Sequence, residues 1–105
     1  MPFWCEVPIP KLDDPQPKIV RLVQWLLDEG APVHRGTRIA IIEAQDGRYA
    51  VLANGDGLLR EKRFLPGAEI ALSTSIAVIA ADGENIPYGR PYSLAEHLDK
   101  SGSKE

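Results

Sequence analysis

The chain is poor in the residues that carry most site chemistry. It has one cysteine, Cys5, and two histidines, His34 and His97. A single cysteine excludes an internal disulfide and fits a reducing compartment. A zinc site would need residues 5, 34 and 97 to converge, with no C-x-x-C or H-x-x-x-H spacing in support. A Cys5–His34 nucleophile pair has no support either, and Cys5 on an opening strand reads as packing. No metal ligand set and no catalytic set is therefore expected, and the chain is read as a non-enzyme. A hydrolase has no supporting constellation.

An excess of positive charge is also missing. Lys and Arg number 12 against 15 Asp and Glu, for a net charge of −3. Phosphate binding needs a basic face, so nucleic acid is not an expected partner. The one short basic cluster is Arg60, Lys62 and Arg63, split by Glu61. On a strand, Arg60 and Lys62 would share one face, which reads as solvated. Long apolar runs are absent as well. Nothing approaches the roughly 20 apolar residues of a membrane helix. The opening "MPFWCEVPIP" has neither a basic segment nor the apolar run of a signal peptide. A cytoplasmic location without membrane contact is the expectation.

Turn formers, by contrast, are plentiful. Nine glycines and nine prolines in 105 residues favour short elements joined by tight turns, within one compact domain. The chain also repeats itself. "GAPVHRGTRIAII" at 30–42 and "GAEIALSTSIAVI" at 67–79 agree at six of thirteen positions, at a constant offset of 37. Each copy opens with a turn glycine and closes on a β-branched run suited to a buried strand. Two copies are too few for a solenoid. Related by a pseudo-twofold axis, they would pack face to face as one flattened barrel or sandwich.

The remaining pattern predicts further strands. Phe3–Pro8 opens the fold, with Pro8 and Pro10 keeping it at an edge. "IVRLVQWLL" at 19–27 suits an amphipathic helix or a strand, and the flanking hairpins favour the strand. "IIEAQDGRYAV" at 41–51 reads as a hairpin turning at Asp46-Gly47. Leu58–Phe64 and Ser75–Ala80 follow. Beyond 82, "SLAEHLDK" is suited to a short helix with Ser93 as N-cap and Glu96 at N3, and "SGSKE" to a disordered tail. The expected layout is a domain over 1–82 and an extension over 83–105.

These segments resemble the lipoyl/biotinyl carrier domain family. "VPIPKL" at 7–12 is similar to the family's opening strand. In "VQWLLDEGAPVHRGTRIAIIEA" at 23–44, Trp25, Glu29, Gly30, Val33, Gly36 and Glu43 fall where the family pattern places them. "ANGDGLL" at 53–59 and "LPGAEI" at 65–70 look like two further family segments. The resemblance covers roughly residues 6 to 80. It implies an all-β barrel-sandwich hybrid of two quasi-symmetric four-stranded antiparallel sheets.

The departure lies at the tip of the 41–51 hairpin. Family members carry a lysine there, to which lipoate or biotin is attached. Counting from Glu43 puts Asp46 at that position, and a one-residue shift puts Gly47 there. Neither forms an amide with a carboxylic-acid cofactor, and Arg48 is not acylated. The lysines are Lys11, Lys18, Lys62, Lys100 and Lys104, all outside the hairpin. Asp46 and Asp56 suit turns for their own side-chain bonds. Trp25 reads as core or, alternatively, as an exposed binding aromatic.

The resemblance thus implies a lipoyl-like scaffold without attached cofactor. It would act as a binding or assembly module for a protein partner in an acyl-transfer or carboxylase system. Glu43, Gln45 and Arg48 flank the degenerate tip and are the expected partner contacts. The alternative is a working lipoate or biotin carrier modified at an unexpected residue. A membrane-fusion adaptor, whose halves are separated by a long helical hairpin, has no room in an offset of 37.

Overall fold

The computed structural model describes residues 4–12, 18–45, 47–80 and 93–99. All regular structure among them is β, in two antiparallel sheets. The nine strands are β1 Trp4–Pro8, β2 Ile19–Trp25, β3 Pro32–Val33, β4 Arg38–Ala44, β5 Gly47–Leu52, β6 Gly57–Lys62, β7 Glu69–Ala71, β8 Ser75–Ala80 and β9 Leu94–Asp99. One sheet has the order β1-β8-β6-β3, the other β7-β2-β4-β5-β9. No helix of the described residues is long and apolar enough to cross a membrane.

Alternation explains the core. On β2, Val20 and Leu22 turn inward while Ile19 and Arg21 face solvent, so residues 19–25 form a strand and not a helix. Ile39 and Ile42 come from β4, Tyr49 and Val51 from β5, Leu59 from β6, Ile76 and Ile79 from β8, and register shifts at Ile39 and Ile76 reconcile the odd spacing on β4 and β8 with strand alternation. All are buried between the two sheets, with Val7, Val33 and Ile70 completing the layer.

The sequence-based expectations need two corrections. Residues 94–99 are not a helix. They form β9, hydrogen-bonded antiparallel to β5, so this sheet has five strands where four were expected. The apolar residues Leu94, Ala95 and Leu98 have helical spacing, but they do not share a face. Ala95 and His97 pair with inward-facing Val51 and Tyr49, and the His97 ring stacks on Tyr49 at 4.3 Å between centroids. Leu98 falls where the register jumps from His97 to Asp99 and is left exposed. Ser93 caps no helix either. It is buried, and its hydroxyl donates to the Pro8 carbonyl, fixing the start of β9 against the end of β1.

The second correction concerns the 38–52 hairpin. Ala44 pairs with Gly47, so positions 45 and 46 lie between the strand ends and Gly47 is already in β5. The turn sits one residue earlier than Asp46-Gly47. Gly47 has φ +129°, a conformation open to glycine.

A two-toothed ion pair clips β9 in place. Arg38 on β4 reaches over β5 to Glu96 on β9, with Nε and Nη2 donating to the two carboxylate oxygens at 2.7 and 2.8 Å. The hydrogen bond from Arg38 holds the Glu96 carboxyl below the usual glutamate range. A carboxyl lowered in the folded state stabilises above its unfolded pKa, about 4.3, and loses that contribution as pH falls through the lowered value. Amide exchange of β9 is therefore expected to quicken, relative to β4, as pH falls below about 4. In Glu96→Gln that pH step should vanish. A step that survives the substitution would assign the acid sensitivity to other groups.

Candidate functional site

The tip of the β4–β5 hairpin is where the sequence placed the site. Asp46 lies outside the described residues, but its surroundings are built strand by strand. Glu43 is in register with Arg21 on β2 and Arg48 on β5. Directly opposed residues share a face of the sheet, so the three side chains meet on the outer face. Arg21 Nη2 donates to Glu43 Oε1, and Arg48 Nε lies 3.7 Å from Glu43 Oε2. The hydrogen bond from Arg21 holds the Glu43 carboxyl below its ordinary value.

The row runs further. Arg21 is in register with Glu69 on β7, and Arg48 with Asp99 on β9. Charge thus alternates across four strands at one level: Glu69, Arg21, Glu43, Arg48. Such exposed pairs contribute little to stability and are screened by salt. What they fix is a charge pattern one residue below the tip. Of the expected contact residues, Glu43 and Arg48 are occupied with each other and Arg21, while Gln45 is exposed. Arg21 and β9 were missed in the sequence. The alternation of β2 would have put Arg21 on the outer face, but nothing short of the strand register brings it to Glu43.

The other candidates disperse. His34 Nδ1 lies 3.9 Å from Asp56, whose carboxylate accepts the Arg35 backbone N–H at 2.8 Å. His97 is stacked on Tyr49 in the other sheet, and the half-buried Cys5 thiol is pushed up by burial. Among the described residues no three His, Cys, Asp or Glu side chains are grouped as metal ligands. Trp25 is half-buried against the core and donates from Nε1 to the Phe64 carbonyl at 3.0 Å. Lys62 lies over its ring at 5.7 Å and donates to the Leu27 carbonyl at 3.2 Å. Arg63 pairs with Glu6 at 2.9 Å and Glu61 at 3.3 Å, so the basic cluster forms no common patch.

Comparison of the chain with protein-family models, with curated proteins and with solved structures gives no match.

Proposed function

We propose that the chain is a lipoyl/biotinyl-like module that carries no cofactor and serves as a non-enzymatic protein-binding or assembly unit, its partner a component of an acyl-transfer or carboxylase system. One observation carries the reading: the turn hydrogen bonds occur in matched sets at the offset of the sequence repeat. Gly30 N–H donates to Leu59 O and Leu59 N–H to Ala31 O; Gly67 N–H donates to Leu22 O and Leu22 N–H to Ala68 O. Leu26 bonds to Ile39 as Arg63 bonds to Ile76, and Thr37 to His34 as Thr74 to Ala71. Gly36 N–H donates to Ala53 O and Ala53 N–H to Thr37 O, as Ser73 N–H donates to Ile9 O and Ile9 N–H to Thr74 O, with Ile9 in the place of Ala53 although outside the offset of 37.

The strand order supports the same reading. β1-β8-β6-β3 maps onto β5-β4-β2-β7, position for position, and β9 is the one strand left over. A quasi-twofold scaffold of two such sheets is what the resemblance implies. The apex "AQDG" at 44–47 has no lysine, so the scaffold lacks the family's acceptor. β9 runs beside β5 as far as Arg48, so the hairpin edge next to the apex is filled. A partner reading this end meets the outer face and the exposed Gln45, not an open strand edge.

Intact mass tests the proposal. After co-expression with a lipoate ligase or a biotin ligase, the native chain is expected at its unmodified mass. A gain equal to either cofactor would establish the carrier reading instead. Asp46→Lys restores a lysine to the hairpin apex. Partial modification of this variant is expected, because Ala44, Gln45 and Arg48 differ from the family's flank.

A further inference from the structure

Among the described residues β9 has no counterpart in the other sheet. The order β5-β4-β2-β7 matches β1-β8-β6-β3, and β1, the counterpart of β5, pairs with β8 alone. β9 also adds little to the core. From Leu94 to Leu98 none of its side chains belongs to the buried core, and only Ala95 packs against it. Leu94 and Leu98 face outward, 58% and 38% exposed. The strand beneath differs. Tyr49, Ala50 and Val51 of β5 are all buried.

β9 is held by backbone bonds to β5, by the His97 ring on Tyr49 and by the Glu96–Arg38 pair. Just ahead of it the Ser93 hydroxyl bonds to the Pro8 carbonyl. The ladder slips between Arg48 and Tyr49, and the ion pair is exposed and screened by salt. A strand with so few buried apolar contacts opens at low free energy while the core beneath it stays closed.

β9 also shows what this edge accepts. Ala95 pairs with Val51 and His97 with Tyr49 on the core side, and Glu96 between them meets Arg38 on the outer face. A strand laid on β5 thus presents a small side chain, then a carboxylate, then a flat ring. We propose that β9 is a displaceable strap and that β5, once uncovered, takes an extended segment of a protein partner with that triplet in its place. Main-chain bonds to β5 supply the affinity, and the three side chains supply the selectivity. Until then β9 keeps the β5 edge paired. That the incoming strand belongs to a partner rests on the binding-module reading; the release of β9 does not.

Amide exchange of the full ¹⁵N-labelled chain tests the release. The β9 amides bonded to β5 should exchange at least about tenfold faster than the β4 amides bonded to β2. Competition tests the acceptance. A second copy of residues 93–99, "SLAEHLD", is attached to the C-terminus through a Gly-Ser linker of about fifteen residues, long enough to return along β9. The two copies compete for β5, and the docked one shows dispersed amide shifts. Glu96→Gln in the resident copy alone should raise the docked share of the appended copy, relative to the resident one, by about three- to fivefold, the contribution of one exposed ion pair. Equal exchange of β9 and β4 overturns the strap. An appended copy that never docks, or a share that ignores Glu96→Gln, overturns the strand replacement. None of these outcomes bears on cofactor attachment, which intact mass decides.

Discussion

Gly57→Ala should be among the most damaging single-atom additions to this chain. A Cβ at position 57 would stand 2.3 Å from the Ala80 carbonyl oxygen and 2.8 Å from Ile79 Cγ2. The first contact is with backbone, which no rotamer change relieves. φ at Gly57 is +152°, so an alanine there is strained even before the clash. Relief requires β6 and β8 to move apart where Leu58 pairs with Ala80, and β6 also carries β3 through the Val33–Gly57 pair. A cost of about 3 kcal/mol or more is expected, the range of overpacked cores with added backbone strain. At this chain length that lowers the melting temperature by roughly 12 °C or more. Gly30→Ala is the control. Its Cβ would meet nothing within 4 Å, so only the strain of φ +94° remains. Urea midpoints of the two variants should differ clearly. Equal midpoints would mean that β8 yields at Ala80 without loss.

Ile39→Ala and Ile76→Ala should each cost about 2–5 kcal/mol, the range for emptying a fully buried aliphatic site. Both residues are wholly buried, one on β4 and one on β8, and they occupy the same place in the two repeat copies. Against a total stability of about 5–15 kcal/mol, the double variant should be unfolded or nearly so at room temperature. Leu65→Ala gives the comparison. That side chain is 80% exposed, and its removal should change stability by no more than about 0.5 kcal/mol. A loss below about 1 kcal/mol at either isoleucine would show that its sheet collapses into the space.

The parts of this fold that the sequence made legible are those with a strict period. Ser75–Ala80 has the same bounds in the pattern and in the structure, because a β-branched run buried on both sides has few alternatives. β2 read as helix or strand, with the flanking hairpins favouring the strand, and the structure shows the strand with Val20 and Leu22, two apart, both inward. The two short strands β3 and β7 left no pattern to read, since two or three residues carry no period. β9 was misread for a physical reason. Its inward positions hold Ala95 and His97, a small residue and a polar aromatic, while its two leucines face outward. His97 stacks on the Tyr49 ring, 48 positions upstream, a contact that no local pattern announces. The site divides in the same way. The lysine-free apex is plain in the sequence, whereas the row from Glu69 to Arg48 exists only through the register of four strands.

The strand order has a consequence for how the chain reaches its native state. β1 to β4 alternate between the two sheets, and so do β5 to β8, so each half deposits two strands in each sheet. Within a half only one pair is complete: β2 with β4, and β6 with β8. The pairs of β1 with β8, β3 with β6 and β2 with β7 all wait for the other half, and Trp4 must find Ala80, 76 positions away. Entropy of loop closure is spent before these contacts return anything, which places the domain among slow, non-local folders. Neither half has a sheet to fall back on. Unfolding should therefore be a single transition, with the tryptophan fluorescence of the first half and the β8 amides of the other lost together.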